Sequence, residues 1–378
     1  MSENCNISFG SNERKSSFPM VSVDEAINII FSVISTSLML TPQYLSLMDS
    51  HGCVVAEDIY AQENFPPWRA SIMDGYAVVA PIEEGSYPVK ERIHAGSEPM
   101  FNLTPGVVSY ITTGARLPIG ANAVIKIEDT EAVNDKNDIK SSVDEKFVLI
   151  KKGIKSGVNI REVGSDIGDG ELIMNKGQVI KAAEIGLLAT AGITKILCYP
   201  KPVIGVISTG SELVDPLQSP AESQIRDCNR AALLCAFAED GYKCIDIGIV
   251  KDLHTDLREK MQFAAANCDV VVTTGGISMG EVDLLKPLLQ DMGTIHFGRL
   301  NMKPGKPTTF ATLASIQPSS ITSSTNSSKK QCCFFALPGN PASALVTKTL
   351  LVNSALKRMQ GILLCSPISH LMQGIPII

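Results

Sequence analysis

The sequence predicts an α/β protein: a mostly parallel, doubly wound sheet domain, a small all-β module, and an N-terminal helix and ribbon linker domain. Two patterns predict it. From Lys201 as far as Gly361, apolar runs of strand length alternate with helically spaced segments. Strands that are apolar throughout belong to parallel sheets covered on both faces. Between 63 and 153, by contrast, short β-type runs are separated by Pro and Gly with no helix among them.

Residues 1–18, "MSENCNISFGSNERKSSF", are expected to be disordered and lack the basic-then-apolar design of a signal peptide. Ser22-Val23-Asp24-Glu25 then has the capping-box pattern that starts a helix. The run that follows, "AINIIFSVISTSLML", is interrupted by Asn28, Ser32 and Ser35, which makes it an amphipathic packing helix rather than a membrane span. Residues 19–62 join 154–200 in a discontinuous linker domain, whose second part holds a helix from Ala182 to Ala191 stopped by Gly192. Residues 63–153 form the β module and 201–361 the sheet domain, with a helix after "LPGN" begun by Pro341. The segment "SIQPSSITSSTNSSKK" within 315–330 is too polar to order itself and reads as a flexible insertion between strands; 362–378 is a short tail.

A net charge of −6 argues against a general nucleic-acid binder, because no excess of Lys and Arg is present to displace counterions. Any anionic ligand must be held by local lysines and backbone N–H groups. The ten cysteines form no C-x-x-C pair and the five histidines are scattered, so zinc is not expected. Reduced thiols such as Cys244 and Cys268 in a chain this long fit a cytoplasmic protein.

Ligands of open α/β sheets sit off the carboxyl ends of the strands. Four stretches at such ends carry the same cargo: "STGSEL" with Thr209, Gly210 and Glu212, "TTGGISMGEVD" with Gly275, Gly276, Ser278 and Asp283, "NMKPGKP" with Lys303 and Lys306, and "LPGNPAS" with Asn340 and Ser343. Glycines after a strand let N–H groups converge on an anion, and a following helix N-terminus adds its positive end. Lys303 and Lys306 supply compact positive charge. Glu212, Asp252 and Asp283 place carboxylates beside the same anion, which demands a mediating cation such as Mg²⁺. That combination suits phosphoryl or nucleotidyl chemistry. Each piece also has a purely structural reading. Asp227, Asp252 and Asp283 stand where helix caps belong, a Gly-Gly pair makes a tight strand-to-helix turn, and the lysines sit in a solvated loop. No G-x-G-x-x-G occurs at these turns, which counts against a nicotinamide enzyme.

In the β module, "PPWRASIMDGYAV" reads on composition alone as turn and core residues, with Asp74-Gly75 as a hairpin turn, and Thr113 of "TTGARLPIGANAV" is undistinguished.

Taken together, "PPWRASIMDGYAV", "TTGARLPIGANAVIKIEDT", "VISTGSELV", "QIRDCNR", "TTGGISMGEVD", "MKPGKP" and "LPGNPAS", in that order over about 19 to 361, resemble the molybdopterin molybdenumtransferases: the MoeA proteins and the E domains of gephyrin and its plant counterpart. The resemblance implies cleavage of AMP from adenylated molybdopterin and insertion of molybdate into the dithiolene, assisted by Mg²⁺. It implies a cytoplasmic homodimer with a shared site, and a molybdopterin adenylyltransferase as a candidate partner. By motif position, Asp74 and Thr113 come from the β module, and Glu212, Asp252 and Asp283 are the acids that hold Mg²⁺ or order a water. Lys303, Lys306 and Ser343 bind molybdate and the pterin phosphate. Family members continue past "QGI" into a further small β-barrel domain, whereas this chain stops at Ile378, so that domain is expected to be missing. Two other functions fit the same residues: adenylation of molybdopterin, whose enzymes share a "TTGG" sheet domain, and an inactive chain that only dimerises or binds pterin.

Overall fold

The computed structural model describes residues 18–133, 146–276, 284–314 and 331–362. The predicted insertion 315–330 lies outside them, as do Ser278, Asp283 and nearly all of both predicted terminal segments. The chain divides into two compact units. One comprises Met1–Glu57, Lys176–Lys181 and Ile196–Ile378; the other comprises Asp58–Asn175 and Ala182–Lys195.

The first unit is built on six strands: β1 (Ile204–Thr209), β2 (Cys244–Val250), β3 (Val270–Thr274), β4 (Gly293–Phe297), β5 (Thr309–Ala314) and β6 (Gln331–Leu337). Their order across the sheet is β2-β1-β3-β6-β5-β4. The pairs β1–β2, β1–β3 and β3–β6 are parallel, while β5 runs antiparallel to both β6 and β4. Five strands therefore share one direction and β5 alone is reversed. Every residue of β1 and β3 is buried, as expected of central strands covered on both faces. Adjacent Phe334 and Phe335 of β6 point to opposite faces and join different cores, one on each side of the sheet.

One face is covered by α1 (Val23–Ser37), by α2 (Cys228–Glu239) and by a C-terminal helix that runs as α5 (Pro341–Thr347), a π turn (Lys348–Val352) and α6 (Asn353–Met359). Ser22 caps α1, its Oγ accepting the Glu25 N–H at 3.1 Å. The stripe Ile27, Ile30 and Ile34 is 0–1% exposed, and each such side chain contributes about 1.5–3 kcal/mol of burial. The other face carries α3 (His254–Asn267) and α4 (Leu285–Met292), through Leu257, Met261 and Leu288. No helix among the described residues is long and apolar enough to cross a membrane.

The second unit holds a six-stranded sheet in the order Ala123–Lys126, Gly75–Val78, Val108–Ile111, Gly85–Ile93, Phe147–Ile150, Thr130–Val133. Its pairs are antiparallel except Gly85–Ile93 with Val108–Ile111. Both faces are packed: Tyr76 and Val78 enter one cluster and Ala77 the other. The helix expected at 182 is present as Ala182–Thr190.

Candidate functional site at the carboxyl edge of the sheet

The reversal of β5 explains how the lysine loop reaches the edge where β1, β2, β3 and β6 end. Thr309 opens β5 opposite Ala336, next to the last residue of β6, so the 298–308 connection from β4 returns at that edge. Gly305 is buried there, and a Cβ on it would stand 2.7 Å from Thr347 Cγ2 of α5. The Thr308 hydroxyl donates to the Gly305 carbonyl at 2.7 Å, which closes the turn, and Lys303 and Lys306 are exposed on either side.

At the end of β1, the Gly210 N–H donates to the Val250 carbonyl at 3.1 Å. The next residue makes a reciprocal pair across to β2. Ser211 N–H donates to Asp252 Oδ2 at 3.2 Å, and Asp252 N–H donates to Ser211 Oγ at 3.3 Å. Asp252 was expected as a possible helix cap, but α3 starts from Leu253 without a side-chain cap bond. Its carboxylate instead reaches the loop after β1. Glu212 folds back on the same loop, its carboxylate lying where a Cβ on Gly210 would come within 2.7 Å of either oxygen. Two carboxylates thus flank Ser211.

Gly275 and Gly276, with φ of 85° and 67°, follow β3. A Cβ on Gly275 would stand 2.3 Å from the Thr209 carbonyl oxygen, and one on Gly276 would stand 2.6 Å from Thr209 Oγ1. The glycine pair is therefore required first by the contact of this loop with the end of β1, and that contact leaves its backbone at the edge. Gly339, after β6, lies beside Gly275, the ideal Cβ position being 3.8 Å from Gly275 Cα.

Asn340 caps α5 with its Oδ1, which accepts both the Ser343 N–H and the Ser343 hydroxyl at 3.1 Å. Ser343 is buried. The hydroxyl that the resemblance implies for anion binding is already donating to the cap.

Behind the edge stands a group that sequence reasoning treated only as a cap. Asp227 Oδ1 accepts the Arg230 N–H at 3.1 Å and the Ser208 hydroxyl at 2.9 Å, while Asp227 Oδ2 accepts Arg230 Nε–H at 2.9 Å. Arg230 also donates to Asp215 at 3.1 Å and to Asp246 of β2. Burial by itself lowers the Arg230 pKa, but hydrogen bonds and charge from Asp246 and Asp227 outweigh it and hold the guanidinium above its ordinary value. The network ties β1, α2 and β2 together just below the "STGSEL" loop. The signal in the sequence is the Asp227–Arg230 spacing of one helical turn.

In the second unit, Asp74 and Thr113 meet directly. Asp74 Oδ1 accepts the Thr113 N–H at 2.7 Å and its hydroxyl at 3.2 Å. Asp74-Gly75 is not the hairpin turn that composition suggested. Ala70–Ser71 pairs with Ile160–Arg161, whereas Gly75–Val78 enters the six-stranded sheet. Gly75 is required because a Cβ there would stand 1.9 Å from the Ile125 carbonyl oxygen. Gly75→Ala is expected to cost about 1–3 kcal/mol, toward the upper end, by forcing those strands apart; a denaturant midpoint within error of the parent would contradict this. Trp68, which composition alone reads as a turn or core residue, is 43% exposed.

Among the described residues no group of three or more His, Cys, Asp or Glu is gathered for a metal. Glu212 and Asp252 nonetheless suit Mg²⁺, which is commonly held by one or two carboxylates together with substrate phosphates.

Residues 205–358 match the family described as probable molybdopterin binding domain, and 21–192 match the MoeA N-terminal region, domains I and II. A molybdopterin molybdenumtransferase of a Nostoc species is 32% identical over 356 residues, covering 91% of this chain and 76% of that protein. Gephyrin of Dictyostelium discoideum is 38% identical over 381 residues, covering 93% of this chain and 51% of gephyrin. The crystal structure of the molybdopterin biosynthesis MoeA protein from Pyrococcus horikosii superposes with a TM-score of 0.70 at 32% identity, covering 91% of this chain and 81% of that one. The two matched regions together cover most of the chain, a sheet domain of the probable molybdopterin binding type following MoeA N-terminal domains I and II. The chain belongs to the molybdopterin molybdenumtransferase family. It spans about half the length of the eukaryotic relatives it matches.

Proposed function

We propose that this chain acts in molybdenum cofactor synthesis, cleaving AMP from adenylated molybdopterin and inserting molybdate into the dithiolene. The observation that carries the reading is the gathering of Thr209–Glu212, Asp252, Gly275–Gly276 and Lys303–Lys306 at one edge of one sheet. Backbone N–H groups of the glycine turns and the two lysines hold the phosphates. Glu212 and Asp252, together with Asp283, would hold Mg²⁺, which would supply neutralisation of phosphate charge. A water adds to the AMP phosphorus, the bond to the bridging oxygen breaks, and the pterin phosphate leaves. Asp74, oriented by Thr113, acts on that bond in an assembled homodimer. Lys303 and Lys306 then bind molybdate. Ser343 supports the helix start beside them through Asn340 rather than through a free hydroxyl. We assign the reaction to the cytoplasm, with a molybdopterin adenylyltransferase supplying the substrate.

The test is incubation of the purified chain with adenylated molybdopterin, Mg²⁺ and molybdate. AMP release and reconstitution of a cofactor-free molybdoenzyme are expected. Absence of both would refute the reading, and pyrophosphate release from ATP and molybdopterin would replace it with the adenylyltransferase activity.

A further inference from the structure

The second unit contains a recess of about 290 Å³ whose walls include Pro66, Pro67, Trp68, Ile72, Thr113 and Arg161. Its lining is mainly apolar, with cationic side chains at hand. Arg161 is a wall residue, and the Arg116 guanidinium lies 6.0 Å from the Trp68 ring centroid. Arg116 is itself held by Glu98 at 3.2 Å, and Arg161 by Asp166 at 3.4 Å. Two consecutive prolines make the wall before Trp68 stiff. The recess is not remote from the chemistry assigned above, because its Thr113 donates to Asp74.

An indole left 43% exposed beside a guanidinium is a poor core residue and a good stacking surface. The volume lies at the low end for small-ligand pockets, which run from about 300 Å³ upward, and it is ample for a fused two-ring heterocycle. We propose that Trp68 and this recess seat a planar nitrogen heterocycle of the substrate, with the Asp74–Thr113 pair next to it. The inference rests on the activity proposed above, whose substrate carries two such ring systems, adenine and pterin; the chemistry of the recess is common to both.

Trp68 is the only tryptophan of the chain, so its emission reports this recess alone. The full chain is titrated with AMP, with a simple pterin and with ribose 5-phosphate, following Trp68 emission for the colourless ligands and equilibrium dialysis for all three. Saturable binding of AMP or of the pterin is expected to depend on Trp68. Ribose 5-phosphate, which only the glycine turns and lysines hold, leaves Trp68 emission unchanged and binds Trp68→Ala as it binds the parent. The ligand whose binding depends on Trp68 identifies the ring. Trp68→Ala is expected to weaken that ligand's binding about tenfold, in the range of one lost stacking partner, while Trp68→Phe keeps most of the affinity. Equal affinity of Trp68→Ala and parent for AMP and for the pterin would overturn the proposal. So would emission that shifts with protein concentration but with neither heterocycle, since a second copy would then be what covers the ring. These measurements need no turnover. Heterocycle binding without AMP release would sink the activity and leave the seat, and AMP release that is indifferent to Trp68→Ala, with unchanged affinity, would do the reverse.

Discussion

Replacing Arg230 with Met is expected to lower the stability of the chain by about 3–5 kcal/mol, the usual cost of stranding a buried charge. The side chain of Arg230 is 8% exposed and that of Asp227 only 1%, so Asp227 has no access to water once its partner is gone. Asp215 and Asp246 are 44% and 46% exposed, and the loss of their pairing is screened by solvent. Asp246→Asn is accordingly expected to cost less than about 1 kcal/mol. A second variant separates charge from packing. In the Arg230→Met background, Asp227→Asn removes the stranded charge while its amide oxygen still caps α2 and accepts the Ser208 hydroxyl. Partial recovery is expected in urea melts followed by circular dichroism. If the double variant were no more stable than the single one, the loss would be one of packing, and the electrostatic account of this network would be wrong.

The contrast between Asp227 and Asp252 shows what sequence could deliver. Asp227 meets its helix within one turn, so a local rule sufficed for the cap. Asp252 obeys the same local rule on paper, yet its carboxylate answers Ser211, 41 residues earlier, because the parallel pairing of β1 and β2 brings their ends together. Asp74 and Thr113, 39 residues apart, are a second case. The alternation after Lys201 was legible since each strand carries its own apolar run. The direction of β5 was not, because "KPTTFATL" reads the same in either orientation, and only pairing with β6 sets it. The Gly-Gly turn was visible in the sequence, but its main constraint, the nearby Thr209 backbone, is a tertiary fact. The order of motifs could place Trp68 in the right stretch without showing its ring exposed.

The largest effect on chemistry is expected from Asp252→Asn. The substitution is conservative in shape: Asn Oδ1 still accepts the Ser211 N–H, so the reciprocal pair between the loops after β1 and β2 survives. What disappears is one negative charge beside Glu212, whose carboxylate flanks the same serine. If the two acids hold Mg²⁺ against the phosphates, the loss falls on the charge developing at the reacting phosphorus, where one such electrostatic contact is worth about 10²–10³ in rate. AMP release is expected to fall by about that factor, and the Mg²⁺ concentration for half-maximal rate to rise. Ser211→Ala supplies the opposite control, since it deletes the hydroxyl accepting the Asp252 N–H but leaves both carboxylates, and only a small loss is expected. The Ser211 backbone N–H remains to hold Asp252. An Asp252→Asn variant with the parent rate and the parent Mg²⁺ dependence would remove this acid from the reaction and leave it a purely structural latch between two strand ends.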